Sequence, residues 1–336
     1  MAQPKIAING FGRIGRMFFR HAWDNPDLDI VAINDLGDLD NLAYLLKYDS
    51  VYKTFEKEIK TKNGNLIVDG QEIEVLQERE PSKLPWSELG VDIVVEATGA
   101  FTTLEKAKAH LHAGAKRVVI TAPAKDDITP TATPNVGEDR LSDENVTSNA
   151  SCTTNAVAPI MAIMSNNPGV KKALLNTIHG YTATQGLIDG PSKKDFRRGR
   201  AAAQNIIPSS TGAAIATTKA LPNLKGKFDG IAMRVPVITG SIIDVTFIAE
   251  KSVSVEDINN IFREKAKSDE WKGILAVTEE PIVSSDIIGN SHGSIIDLSM
   301  TRVVDGDLVK VCAWYDNEWG YASMLVKHVK TVAKML

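Results

Sequence analysis

Lys5-Ile6-Ala7-Ile8-Asn9-Gly10-Phe11-Gly12-Arg13-Ile14-Gly15 decides how the chain is read. Lys5 to Asn9 is a short apolar run, and from Arg16 to Trp23 the pattern turns helical. A strand, then Gly-x-Gly-x-x-Gly, then a helix is the arrangement of a dinucleotide-binding turn. Gly10 permits the tight turn, Gly12 lets a pyrophosphate reach the backbone, and Gly15 lets helix and strand pack closely. The helix N-terminus then offers unpaired N–H groups to the phosphates. A second strand, Asp29 to Asn34, ends at Asp35, 20 residues beyond Gly15. A carboxylate there accepts from a ribose 2′-hydroxyl and repels a 2′-phosphate, so NAD is expected rather than NADP.

Working outward, a short helix is expected over Asp40–Lys47. Between Phe55 and Gln77, alternating strands are broken by Asn63-Gly64 and Asp69-Gly70, both hairpin signals, and read as an antiparallel insertion on a parallel core. Val91 to Glu96 is a buried strand with Ala97-Thr98-Gly99 as its exit turn. A helix from about Thr103 to His112 ends at Gly114, and Arg117 to Thr121 is the next strand. The exits Asn9, Asp35, Thr98-Gly99 and Thr121-Ala122 should share one sheet edge, where doubly wound folds bind ligands. His110 and His112 are expected on the surface of their helix, not as ligands. Residues 1–150 thus read as an NAD-binding domain.

The bulk numbers fit two domains. The chain has 336 residues, 43% hydrophobic and 24% charged, with a net charge of −4. That balance gives no reason to expect nucleic acid or a membrane surface as primary partner. Two cysteines, Cys152 and Cys312, suit a reducing compartment and exclude a disulfide scaffold. Cys312 lies in the strand-like run Leu308–Trp314 and reads as packing. No apolar run is long enough to span a bilayer, and Met1 to Lys5 lacks a signal-peptide pattern, so a cytoplasmic enzyme is expected. No metal is expected.

Ser151-Cys152-Thr153-Thr154-Asn155 precedes the apolar run Ala156 to Met164. A small polar residue ahead of such a run reads as a helix N-cap, which places Cys152 at a helix N-terminus. Unpaired N–H groups and the positive dipole end there favour thiolate over thiol. A free cysteine is ordinarily a small buried hydrophobe. Here the polar neighbours, the segment Thr177 to Thr182 with His179, 27 residues on, and the preceding nucleotide module favour a nucleophile. An activated cysteine beside a dinucleotide suggests covalent aldehyde oxidation.

Beyond Cys152 a strand is expected over Ala173–His179, then a long loop over Gly180–Ala203 with the basic stretch Lys193-Lys194-Asp195-Phe196-Arg197-Arg198-Gly199-Arg200. Ser209-Ser210-Thr211-Gly212 leads into a helix as a second candidate anion nest. Strands are expected over Gly230–Pro236, Ser241–Glu250, Ile274–Val283, Ser294–Met300 and Val309–Trp314. Ser254-Val255-Glu256-Asp257 is a capping box opening a helix to about Lys267. This is the grammar of an α+β catalytic domain, residues 151–317, on a mixed and largely antiparallel sheet. Over Glu318–Leu336, Leu325, Val329, Val332 and Leu336 form one helix face, expected to return to the first domain.

With Ile8 to Arg16, Ala150 to Asn155 and Trp314-Tyr315-Asp316-Asn317-Glu318-Trp319-Gly320-Tyr321 in order, the chain resembles the phosphorylating glyceraldehyde-3-phosphate dehydrogenases over essentially its whole length. The resemblance implies a Rossmann-type NAD domain and a substrate domain, with NAD, glyceraldehyde 3-phosphate and inorganic phosphate as ligands. It implies Cys152 as the nucleophile that becomes a thiohemiacetal and then a thioester, and His179 as base. It assigns Thr182 and Arg234 to the substrate phosphate, and Ser151, Thr153, Thr211, Gly212 and Arg198 to the attacking phosphate. Asn317 matches the group that holds the nicotinamide carboxamide, and Asn9, Arg13, Ile14, Asp35, Thr98 and Thr121 match other NAD contacts. It also implies a homotetramer in which loop 180–203 approaches a neighbouring subunit's cofactor.

Departures from the family pattern are few. Ala156 stands where many relatives carry a second cysteine, which removes a nearby disulfide partner. Thr131 to Glu138 has unfamiliar wording and reads as a surface loop, and Tyr52-Lys53 replaces a common His-Gly. Three other readings stay open: an erythrose-4-phosphate dehydrogenase that hydrolyses its thioester, a semialdehyde dehydrogenase, and a non-catalytic NAD-bound scaffold or RNA-binding protein.

Overall fold

A computed structural model describes residues 3–192 and 195–336; Lys193 and Lys194, in the basic stretch, lie outside the described residues. The chain divides into two compact units. One comprises the residues up to Ala132, Glu138–Ala150 and Leu325–Leu336; the other comprises Thr133–Gly137 and Ser151–Met324.

In the first unit the order is β1 (Lys5–Asn9), α1 (Arg13–Ala22), β2 (Asp29–Asn34), α2 (Leu39–Lys47), β3 (Tyr48–Asp49), β4 (Lys53–Thr54), β5 (Ile59–Lys62), β6 (Asn65–Val68) and β7 (Gln71–Leu76). Then come α3 (Trp86–Leu89), β8 (Ile93–Glu96), α4 (Leu104–His112), β9 (Arg117–Ile120) and β10 (Val146–Ser148). One eight-stranded sheet runs β10-β9-β8-β1-β2-β7-β6-β5. From β10 to β7 every pairing is parallel, and only the β7–β6 and β6–β5 pairings are antiparallel. The insertion therefore extends the main sheet through β7. Every residue of β8 and β9 is buried, as expected of strands covered on both faces.

Helix α1 begins at Arg13, three residues ahead of the apolar pattern, because the chain is already helical inside the glycine turn. Two other expectations fail on burial. His110 is fully buried, since it continues the inward face of α4 after Leu104 and Ala107 and meets Trp86 and Glu96 there; His112 is exposed, as expected. Thr131, Ala132, Thr133 and Val136 are buried rather than a surface loop. Backbone pairing ties this stretch down: Thr131 bridges Ser148, and Ala132 N donates to Ser148 O.

The second unit carries α5 (Cys152–Asn166), β11 (Val170–Gly180), β12 (Ile207–Ser210), α6 (Ala213–Ala220), β13 (Phe228–Val235), β14 (Ser241–Ala249), α7 (Val255–Lys267), β15 (Leu275–Thr278), β16 (Ser294–Val304) and β17 (Leu308–Tyr315). Its seven-stranded sheet runs β12-β13-β11-β14-β17-β16-β15. The β11–β13 and β15–β16 pairs are parallel and the remainder antiparallel. Burial alternates strictly along β14, the mark of a sheet with one face on the core. Both halves of the Ser254/Asp257 capping box form. The strand expected over Ile274–Val283 shortens to Leu275–Thr278. Helix α8 (Trp319–Ala333) buries Leu325, Val329 and Val332, but it stops at Ala333, so Leu336 is exposed rather than part of that face.

Candidate active site

In the first unit, Gly10 has φ +96°, and a Cβ there would come within 2.7 Å of Thr98 N. A Cβ on Gly15 would stand 2.1 Å from Gly10 O, so no larger residue fits the close pass of helix and turn. Gly12 caps α1 and has nothing within 4 Å of its Cβ position. The turn is thus closed from behind and open in front, as a phosphate cradle at a helix N-terminus must be. Asp35 receives Phe11 N on Oδ2 at 2.6 Å and Gly37 N on Oδ1 at 2.8 Å, which fixes its carboxylate against the turn.

Arg13 pairs with Asp49 and lies over the Tyr52 ring at 5.7 Å, so a residue that replaces the family's usual wording touches the proposed cofactor loop. Ile14 packs on the apolar core of this unit. Thr98 and Thr121 follow β8 and β9, with Thr121 N donating to Glu96 O at 3.0 Å, and Gly99 turns at φ +72°. These residues fit a dinucleotide along the C-terminal edge of a parallel sheet.

In the second unit, Ser151 caps α5 by accepting from Thr154 N at 3.1 Å, and Cys152 is the first residue of the helix. Ala150 ahead of it adopts φ +58°, a left-handed conformation that costs a non-glycine residue roughly 1 kcal/mol. Strain of this kind persists where surrounding structure over-determines it, commonly at functional sites.

Cys152 Sγ stands 3.4 Å from His179 Nε2. His179 is the buried penultimate residue of β11, and the parallel register places Arg234 of β13 directly beside it. Nδ1 of His179 then faces two groups of opposite sense, Gly180 O at 2.6 Å and Nη1 of Arg234 at 2.6 Å. Nη1 also donates to Gly180 O at 3.0 Å. A guanidinium only donates and a carbonyl only accepts, so Nδ1 serves one of them at a time. When it accepts from Arg234, the imidazole proton sits on Nε2, toward the sulfur.

Burial, then the charge of Arg234, holds His179 down to about 3 against the Gly180 carbonyl, with Arg198 adding to the fall. The imidazole is therefore neutral at physiological pH. Burial also pushes the Cys152 thiol up, and Arg234, the Thr153 hydroxyl and backbone N–H groups oppose it without reversing the direction. Desolvation of the sulfur and these stabilising partners thus act on the thiol in opposite senses.

Tyr315 lies beneath this pair, a residue that sequence reading did not single out although it belongs to the quoted stretch Trp314–Tyr321. Its hydroxyl stands 2.9 Å from Thr153 Oγ1 and 2.8 Å from Thr177 Oγ1, and its ring meets His179 edge-on at 5.9 Å. Burial raises its pKa, so it is a neutral phenol that joins the Cys152 helix to β11.

Arg198 is held by Ser209 Oγ at 2.6 Å and Ser210 O at 3.0 Å, next to Thr211 and the α6 cap Gly212. Its charge reaches both His179 and Arg234. Thr182 bonds Thr184 Oγ1 at 2.9 Å in the loop after β11. Asn317 Oδ1 accepts from Gly240 N at 3.1 Å and Ser241 Oγ at 2.8 Å, which leaves its NH2 as the face offered to a ligand. Among the described residues no group of three or more His, Cys, Asp or Glu could hold a metal ion.

Comparison with known proteins shows which family the chain is similar to. The family described as glyceraldehyde 3-phosphate dehydrogenase, NAD binding domain, matches residues 4–104, and its C-terminal domain matches residues 151–317. Glyceraldehyde-3-phosphate dehydrogenase of Clostridium pasteurianum is 49% identical over 335 residues, covering 98% of this chain and 99% of the relative. The protein of that name from Geobacillus stearothermophilus is 50% identical over 323 residues, covering 96% of each. Glyceraldehyde-3-phosphate dehydrogenase 1 of Bacillus subtilis is 48% identical over 331 residues, covering 98% of each.

Proposed function

This chain belongs to the glyceraldehyde-3-phosphate dehydrogenase family, and from that premise we propose that it oxidises D-glyceraldehyde 3-phosphate to 1,3-bisphosphoglycerate with NAD and inorganic phosphate, in glycolysis and gluconeogenesis. The observation that carries this reading is the 3.4 Å approach of His179 Nε2 to Cys152 Sγ at the start of α5.

Sγ of Cys152 adds to the aldehyde carbon as its proton passes to the aldehyde oxygen, which gives a thiohemiacetal. NAD, when bound, supplies the acceptor for the hydride that leaves that carbon. His179 takes the hydroxyl proton, and Cys152 is left holding a thioester. A phosphate oxygen attacks the thioester carbon, and the sulfur leaves. Ser151, Thr153, Thr211, Gly212 and Arg198 hold the attacking phosphate, and Thr182 and Arg234 hold that of the substrate. Guanidinium forks suit such dianions because they pair two oxygens at once.

Arg234 links binding to chemistry. Its charge depresses His179, and its Nη1 occupies Nδ1. A substrate phosphate that engages the guanidinium offsets the charge and releases Nδ1 to donate to Gly180 O. Nε2 is then free to accept, and the ring becomes the stronger base that proton removal requires.

A homo-oligomer, expected as a tetramer, is supported by large apolar side chains left exposed on the second unit. Leu174, Ile231 and Leu308 stand out on its sheet, and Leu187, Ile188 and Phe196 on the long loop. No helix of the described residues is long and apolar enough to cross a membrane, and two free cysteines suit the reducing cytoplasm.

Initial rates of NADH formation with glyceraldehyde 3-phosphate test the reading. It predicts turnover that requires phosphate, accepts arsenate in its place, and is faster than with erythrose 4-phosphate. Phosphate-independent oxidation would mean a hydrolytic enzyme instead.

A further inference from the structure

Beneath the strand ends of the first unit lies a buried carboxylate that the chemistry above does not use. Glu96 and His110 are both almost wholly inaccessible. Oε1 of Glu96 receives Thr98 N at 2.9 Å and the Thr98 hydroxyl; Oε2 receives Asn9 Nδ2 at 2.5 Å and His110 Nε2 at 3.1 Å.

The direction of every bond is set from outside. Trp86 Nε1–H only donates, and it lies 3.0 Å from His110 Nδ1, so that nitrogen accepts and the ring proton sits on Nε2. At the other end, Glu78 N donates to Asn34 Oδ1 at 2.8 Å, so Asn34 Nδ2 donates to Asn9 Oδ1 at 2.7 Å. That leaves the Asn9 NH2 to donate to Glu96. The Thr98 hydroxyl accepts from Ala100 N at 3.1 Å, so its proton also turns to Glu96. All donors converge on one acceptor-only group.

We propose that Glu96, with its donors oriented through Trp86, Asn34 and the Ala100 amide, is the positioning residue of the cofactor edge, fixing the Asn9 amide and the Thr98 turn that NAD meets. The proposal rests on the reading of that edge as the NAD site. Glutamine has the same shape but only one acceptor oxygen, and both ends of the Glu96 carboxylate face N–H donors. Whichever way a glutamine turns, its NH2 opposes an N–H donor, Thr98 N on one side or Asn9 Nδ2 and His110 Nε2 on the other. The loss therefore falls on the strand-end groups and on cofactor affinity, not on the sulfur chemistry of the second unit.

The test compares Glu96→Gln with Leu46→Ala, a core truncation elsewhere in the same unit, by NAD titration calorimetry, steady-state kinetics and thermal unfolding. Glu96→Gln is expected to raise the Kd and KM for NAD on the order of tenfold, with kcat at saturating NAD within about twofold of wild type. Leu46→Ala is expected to lower the Tm but leave both constants unchanged. Equal weakening of NAD by the two variants, or a Glu96→Gln protein with normal Kd, overturns the proposal. Should Glu96→Gln not fold, the ¹⁵N shifts of the His110 ring in the wild-type protein decide: Nε2–H is expected, and Nδ1–H refutes the arrangement. Failure of the wild-type protein to bind NAD would instead strike the cofactor reading, and the His110 measurement stands apart from it.

Discussion

Nη1 of Arg234 sits 2.6 Å from Nδ1 of His179, and the two residues are register partners on adjacent parallel strands. In the proposed reading, the contact makes one side chain both the anchor for the substrate's phosphate and the control on the base. Replacing Arg234 by Leu is expected to lower kcat/KM by about 10²-fold, the scale of losing a bidentate charge-assisted contact. Lysine should not restore it, since a point charge lacks the fork. Steady-state kinetics of both variants check this, and a Lys variant at full activity would contradict it.

A second consequence concerns the substrate's own phosphate. If that group arms His179 by engaging Arg234, glyceraldehyde without phosphate should react with a lower kcat, not only a higher KM. Pre-steady-state acylation rates at saturating aldehyde measure the difference directly. Equal rates for the two aldehydes would mean that Arg234 only binds.

The buried hydroxyl of Tyr315 lies within hydrogen-bond distance of both Thr153 Oγ1 and Thr177 Oγ1. Tyr315→Phe leaves both threonine hydroxyls short of a partner and is expected to cost about 1–3 kcal/mol of stability. Chemical denaturation reads this, and an unchanged midpoint would show that the threonines find other partners.

Acid should loosen the fold through two buried histidines. His328 is held down to about 4 and His179 to about 3, in both cases chiefly by burial, against an ordinary value of 6.5. Between pH 6.5 and 4 the unfolded chain takes up protons that these rings refuse, so stability is full above 6.5 and falls as pH drops through that window. For His328 the loss is on the order of 2 kcal/mol by pH 5. A His328→Gln protein should show a flatter dependence of Tm on pH over that range. An equally steep one would assign the effect elsewhere.

Much of this was legible in residue patterns that act locally. The glycine turn, the Asn63-Gly64 and Asp69-Gly70 hairpins and the Ser254/Asp257 box each set backbone geometry within a few residues, and each formed. What escaped was whatever tertiary packing decides. His110 looks polar in a helix, yet its inward partners Trp86 and Glu96 lie 24 and 14 residues away. The contact between His179 and Arg234 comes from strand register across 55 residues. The state of the Cys152 thiol depends on burial as much as on the helix terminus that the sequence announces.

Stoichiometric alkylation with iodoacetate, followed by peptide mass mapping and assay, tests the central claim most directly. Cys312 is an internal control, because it is buried in β17 whereas Cys152 is partly exposed. One equivalent should modify Cys152, spare Cys312, and abolish phosphate-dependent NADH formation while NAD binding persists. Turnover that survives modification of Cys152 would contradict the account.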